Sequence, residues 1–155
     1  MFSITKLGRL NYYKGGVDMR VIGIDYGDAR VGIAVSDETG FLASAVATLN
    51  VSGMRDACKK TAEKIKELGG TKIVLGLPVN MDGSLSFRAE KTNAFKQMLS
   101  EATGLEIVLV DERLSTVEAY TYLNITDFNG KKRRSVIDAL SAQIILQSYL
   151  DGNKK

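Results

Sequence analysis

The chain alternates short apolar runs with amphipathic stretches, and its hydrophobic period changes partway along. Arg20–Asp25 (RVIGID) and Arg30–Ser36 (RVGIAVS) are rich in β-branched residues and are joined by a Gly-bearing turn at Tyr26–Ala29. Ala43–Leu49 follows a polar turn at Asp37–Gly40, so the opening reads as an antiparallel meander of three strands. From Ser52 the period becomes helical: Met54, Cys58, Ala62, Ile65 and Leu68 share one face, and Gly69-Gly70 form the stop. Lys72–Leu77 (KIVLGL) is a continuous apolar run, as expected of a strand covered on both faces, and Pro78, the only proline, ends it. A second helix is predicted over Ser86–Ala102, with Phe87, Ala94, Phe95, Met98 and Leu99 inward, and a buried strand over Glu106–Val110. Ser115-Thr116-Val117-Glu118 has capping-box spacing and predicts a short third helix. Asn124–Arg134 reads as a polar, basic loop, and Ser135–Leu150 as a last helix, apolar almost all round.

Three strands followed by crossover units give a mixed five-stranded sheet with helices on both faces, an α/β fold of the ribonuclease H-like arrangement. The 155 residues, 45% of them apolar, suit one core, and no repeat or linker marks a second domain. Residues 1–18 show no clean period and precede an already complete first strand. They are expected to be an N-terminal arm, poorly ordered or peripheral, ahead of a single nuclease-type domain over residues 19–155. Lys14-Gly15-Gly16 also admits the codons AAA GGA GGT, a bacterial ribosome-binding sequence, shortly before Met19. Translation is therefore expected to begin at Met19.

Composition narrows the chemistry. With no His and one Cys, a zinc site and a Ser/Cys–His mechanism are both excluded. The lone Cys58 forms no internal disulfide, which fits a reducing cytoplasm, and its place on an apolar helical stripe predicts burial. No apolar run is long enough to span a bilayer, and the first residues lack the apolar block of a secretory signal, so no membrane partner is expected. The net charge of +3 hints weakly at an anionic partner, and the informative charge is the local run Lys131, Lys132, Arg133, Arg134.

Against this background three acidic positions stand out. Asp25 ends an apolar strand, Asp111-Glu112 ends another, and Asp138 opens an apolar helix. An ionised carboxylate in such settings is expensive to desolvate unless a cation meets it. In the expected sheet the first strand is central and the carboxyl ends of the crossover strands open on one edge, where Asp138 would join them. Converging carboxylates repel unless neutralised, and oxygen-only ligands with open positions suit Mg²⁺ or Mn²⁺. Two such ions about 4 Å apart activate water and stabilise the leaving oxygen of a phosphodiester. Each acid also has a plainer reading. Asp25 suits an Asx turn before Gly27, one of Asp111 and Glu112 suits a pair with Arg113, and Ser135-Val136-Ile137-Asp138 suits a capping box.

The ordered motifs IDYGDARVGIAVSD, VLGLPVNMDGS, VDERLSTVEA and VIDALSAQIILQSYL resemble the YqgF/RuvX-type Holliday-junction resolvases, also called pre-16S rRNA nucleases. Together they span nearly everything from Met19 to Leu150. The resemblance implies a ribonuclease H-like fold, a cytoplasmic bacterial nuclease and a role in maturing the 5′ end of small-subunit ribosomal RNA, with DNA recombination or repair also suggested for relatives. It places the family's first-strand aspartate on Asp25, its DER motif on Asp111-Glu112-Arg113 and its last-helix aspartate on Asp138. On that basis Asp25, Glu112 and Asp138 are the expected metal ligands, with Asp111 the substitute for Glu112. A strand buried on both faces hides which of the two points inward.

A nuclease needs cations that track a phosphate backbone. The candidates are Arg30, Arg88, Arg113 and Lys131–Arg134, with Asn80 and Ser84 in the loop after KIVLGL, a loop equally suited to be an ordinary strand-to-helix turn. Expected partners are structured or precursor rRNA, branched DNA and ribosomal particles, with the chain a monomer or weak homodimer. Two rival readings remain. IDYGDARVGIAV also resembles the phosphate hairpin of actin-like ATPases, which clasp nucleotide between two such domains where this chain supplies one. A non-catalytic RNA- or ribosome-binding module would keep the fold, although a pure binder of polyanions gains by losing the acids.

Overall fold

The computed structural model describes residues 19–80, 82, 84, 86–112 and 130–152, with side chains of 130–134 excepted. The arm 1–18, the helix expected from Ser115 and the candidate Arg113 lie outside the described residues.

Strands β1 (Val21–Tyr26), β2 (Arg30–Ser36) and β3 (Ala43–Asn50) come first, then helix α1 (Met54–Leu68), β4 (Lys72–Leu77), α2 (Phe87–Thr103), β5 (Ile107–Asp111) and α3 (Gly130–Gly152). They form one five-stranded sheet in the order β3-β2-β1-β4-β5. β1 pairs antiparallel with β2 and parallel with β4, β2 pairs antiparallel with β3, and β4 parallel with β5. The first strand is thus central, and the carboxyl ends of β1, β4 and β5 share one edge.

The period of two sorts the strands between two cores. Ile22, Ile24, Tyr26, Val31, Ile33, Ile73 and Leu75 pack with α1 and α2 through Ala57, Cys58, Ile65, Phe95 and Leu99. Tyr26 stacks on Phe95 with ring centroids 4.1 Å apart. The opposite face buries Val21, Ala34 and Val74 against Ala142, Ile145, Leu146 and Leu150 of α3. Helices therefore cover both faces, and Cys58 is buried as its stripe predicts.

α3 lies so close to the sheet that strand glycines are required beneath it. A Cβ on Gly23 would stand 2.6 Å from Leu146 Cβ and 2.8 Å from the Ala142 carbonyl oxygen, and one on Gly32 would overlap the Asp138 carbonyl. Glycine inside a strand marks such close backbone approach.

Two expectations are corrected. Phe87 and Ala94 are not inward: Phe87 is 74% exposed, and Ala94 is exposed as well. α2 starts at Phe87, capped by Ser86 Oγ accepting from the Ala89 amide, and its inward stripe is Ala89, Thr92, Phe95 and Leu99, which leaves Phe87 off the stripe. The basic loop does not extend to Arg134, because α3 begins at Gly130 and takes residues 131–134 into its first turn. Lys and Arg are good helix formers, and nothing between 131 and 151 interrupts the pattern. Ser135 is consequently inside the helix, its carbonyl accepting from Thr48 Oγ1, and Ser135–Asp138 is no capping box. Asp138 stands about two turns into α3 rather than in its first turn.

Candidate active site

Asp25 sits on β1 with Val21 and Gly23, on the face that α3 covers. Its ladder partner on β2 is Gly32. Because Gly32 has no side chain, the α3 backbone at Asp138 rests directly on the strand beside Asp25. The third acid arrives from the other side of β1. β5 pairs with β4 as far as Leu77 with Asp111, and the Glu112 amide then donates to the Leu77 carbonyl at 3.3 Å, carrying the ladder one residue further. Ile107 and Leu109 face α1 and α2 while Val110 faces α3. The alternation therefore sends Glu112 to the α3 face and leaves Asp111 exposed on the other. Glu112 fills the space above Gly76, where a Cβ would stand 2.5 Å from Glu112 Oε1.

The three carboxylates lie near enough on the face covered by α3 for their charges to act on one another. The Asp25 carboxyl is held well above the ordinary carboxylate range, first by burial, then by the charges of Glu112 and Asp138, with the Arg88 guanidinium opposing. Glu112 is raised as well, chiefly by burial, while Arg88 and a hydrogen bond from Asp25 oppose the rise and Asp111 adds to it. Both groups are thus pushed toward their protonated forms, Asp25 the more strongly. Asp138 is neutralised differently, by Arg30, whose Nε stands 2.5 Å from Asp138 Oδ2. Arg88 reaches over the edge from α2 and donates from Nη2 to the Tyr26 carbonyl at 3.3 Å. On the rim Lys91 pairs with Asp28 at 3.3 Å.

Among the described residues no three His, Cys, Asp or Glu side chains stand close enough to cage a metal ion as they are. The donor set nevertheless fits a hard dication. It is all carboxylate oxygen, and the repulsion that raises Asp25 and Glu112 is what a bound cation would relieve.

Asp25, Glu112, Asp138, Arg30 and Arg88 are therefore brought together, and Asp111 is not. Asn80 keeps its hydrogen bonds within its own loop: its Nδ2 donates to Ser84 Oγ at 2.9 Å, and Ser84 Oγ donates to Asp82 Oδ1 at 2.7 Å. Lys131, Lys132, Arg133 and Arg134 enter at the start of α3, and their side chains, like Arg113, lie outside the description. Sequence reasoning missed Gly32 and Gly76, the two residues that make room for the acids. Their signal was a glycine in the middle of an otherwise β-branched strand.

An antiparallel β1–β2–β3 meander continued by parallel β4 and β5, with acids from the central strand, a neighbouring strand end and the covering helix, is the ribonuclease H-like class. Within it, the RuvX family, described as Holliday junction resolvase, matches residues 19–152, and the chain belongs to that family. It is 44% identical over 138 residues to a protein of Geobacillus kaustophilus named "Putative pre-16S rRNA nuclease", covering 88% of this chain and 100% of that one. A protein of the same name from Ruminiclostridium cellulolyticum is 39% identical over 141 residues, with 88% and 99% covered. Among solved structures, T. thermophilus RuvC in complex with Holliday junction substrate superposes with a TM-score of 0.57 at 14% identity, over 88% of this chain and 97% of that one, a likeness of fold.

Proposed function

We propose that this chain is a divalent-metal-dependent nuclease that hydrolyses phosphodiester bonds in the precursor of 16S ribosomal RNA, at its 5′ end. The reading is supported by the convergence of Asp25, Glu112 and Asp138, from three separate elements, toward the α3-covered face at the carboxyl edge of the sheet. The names of relatives matched over nearly their whole length supply the substrate. Asp25, Glu112 and Asp138 would hold Mg²⁺ or Mn²⁺, which when bound supplies a Lewis acid for charge developing on the phosphoryl oxygens. Asp25 would hold the cation in its ionised form. Arg88 already favours the ionised forms of Asp25 and Glu112 and would orient a phosphate beside them. Lys131–Arg134 extend the contact along the backbone. The partners in this reading are precursor rRNA and the ribosomal particles carrying it, in the cytoplasm, with the protein a monomer or weak homodimer.

The test incubates wild type, Asp25→Asn and Asp138→Asn with labelled 5′-extended 16S RNA and Mn²⁺. Loss of cleavage by about 10²-fold or more in both variants is expected. Equal cleavage by all three proteins would assign the activity to a contaminant. The family description favours a second reading, resolution of branched DNA by the same pocket. A four-way DNA junction offered in competition with the RNA separates them, since the preferred substrate is cut first.

A further inference from the structure

Among the described residues Arg30 is the cation paired with Asp138. It opens β2 two residues before Gly32, so the strand period and the seating of α3 together bring it against Asp138. The contact runs through Nε alone. Among the described residues the terminal Nη nitrogens meet no acceptor and Asp138 Oδ1 meets no donor. Of the two side chains Arg30 is the more accessible, 35% exposed against 17% for Asp138. The guanidinium is thus the more open of the two groups to an anion from solvent, and among the described residues its outer fork has no partner.

We propose that Arg30 is an exchangeable counter-ion, holding Asp138 while the pocket lacks metal and passing to a substrate phosphate when nucleic acid binds, so that the third carboxylate reaches a divalent cation only with substrate in place. The inference rests on the metal-dependent reading above. A guanidinium fork matches a phosphate bidentately, a stronger contact than the single Nε bond to Asp138. A dication at Asp138 and the Arg30 charge repel each other, so the two compete for that carboxylate. Phosphate binding thereby favours metal binding, and linkage makes the coupling reciprocal.

Two measurements on the full chain, neither reading cleavage, test this. In the first, free Mn²⁺ is titrated by electron paramagnetic resonance without nucleic acid, and the Asp25-dependent site is defined by adding Asp25→Asn to each protein. Arg30→Gln is expected to take Mn²⁺ at that site about tenfold more tightly than wild type. In the second, RNA affinity is measured in EDTA. Asp138→Asn is expected to tighten binding about fivefold in wild type, because it frees Arg30, and less than about twofold in the Arg30→Gln background. Mn²⁺ affinity no higher in Arg30→Gln, or an equal effect of Asp138→Asn in both backgrounds, overturns the proposal. Failure of the nuclease reading would instead appear as cleavage that does not depend on Asp25.

Discussion

Replacing Asp25 with Asn should stabilise the metal-free protein at neutral pH, although it removes a central side chain. Asp25 is packed among protein atoms beside Glu112 and Asp138, and its carboxyl keeps its proton well above the ordinary carboxylate range. In the unfolded chain the same group releases that proton near pH 3.9. Between the two values the native state binds one proton more than the unfolded state. The stabilisation tied to that proton is complete below the unfolded value and is lost as pH climbs toward the raised folded value. Each pH unit in that window removes about 1.4 kcal/mol. For a domain of this size that is about 3–5 °C in Tm per unit. Asn has the same shape and offers an N–H to Glu112 as the protonated acid does, yet has no proton to lose. Glu112 is raised in the same direction, so the difference between wild type and Asp25→Asn isolates Asp25 to first order. Thermal melts in EDTA from pH 5 to pH 8 should show the variant gaining on wild type by that slope and overtaking it. Adding Mn²⁺ at about 100 times its Kd should reverse the order, since ligand binding to the wild type contributes about 2.7 kcal/mol. Parallel melting curves across the pH range in EDTA would refute the reasoning.

Gly32→Ala should push the Asp138 backbone off β2, costing about 1–3 kcal/mol by overpacking, and should abolish cleavage even where the variant stays folded, read by melts and the RNA assay together. Glu112→Gln should reduce cleavage by about 10²-fold while Asp111→Asn changes it only a few-fold, because the strand alternation sends only Glu112 to the Asp25 face; equal losses would overturn that assignment. Replacing Lys131, Lys132, Arg133 and Arg134 together with Ala should weaken RNA binding and flatten its salt dependence, each lost phosphate contact lowering the logarithmic slope by about 0.7–0.9. An unchanged affinity and slope would count against a backbone-tracking role for that turn.

The strands and the stripes of α1 were legible because period is a local property, and Asp25 was legible because an acid closing an apolar strand has no packing reason to be there. The choice between Asp111 and Glu112 was not legible. Both faces of β5 are covered, so Val108 and Val110 look like Ile107 and Leu109, and only the register against β4 counts the alternation out to Glu112. The start of α3 was hidden for a related reason. A run of four cations reads as a solvated loop, and Ser135 with Asp138 imitates a capping box, while the decisive contacts come from residues far away in sequence, Thr48 on the Ser135 carbonyl and Gly32 under Asp138. Phe87 misled because an apolar residue in a first helical turn carries no information about which way the sheet lies. Arg30 drew attention as a phosphate contact, and nothing local in the sequence ties it to an acid 108 positions away.

The strand glycines separate packing from chemistry at this face. Each glycine inside a strand costs about 0.5–1 kcal/mol relative to Ala. At Gly23 the return is ordinary core packing, since the vacant space is taken by Leu146 and the Ala142 carbonyl. At Gly32 the space is taken by the Asp138 backbone, and at Gly76 it is shared between the Glu112 carboxylate and Ile145 of α3. Two strands thus give up side chains to bring in two acids beside a third, in a pocket where every added negative charge raises the cost of the others. A surface that only binds a polyanion gains nothing from gathering negative charge in this way. In the metal-free protein the raised affinity of Asp25 for its proton and the guanidinium of Arg30 offset that repulsion, and in the reading proposed above a shared cation would do so.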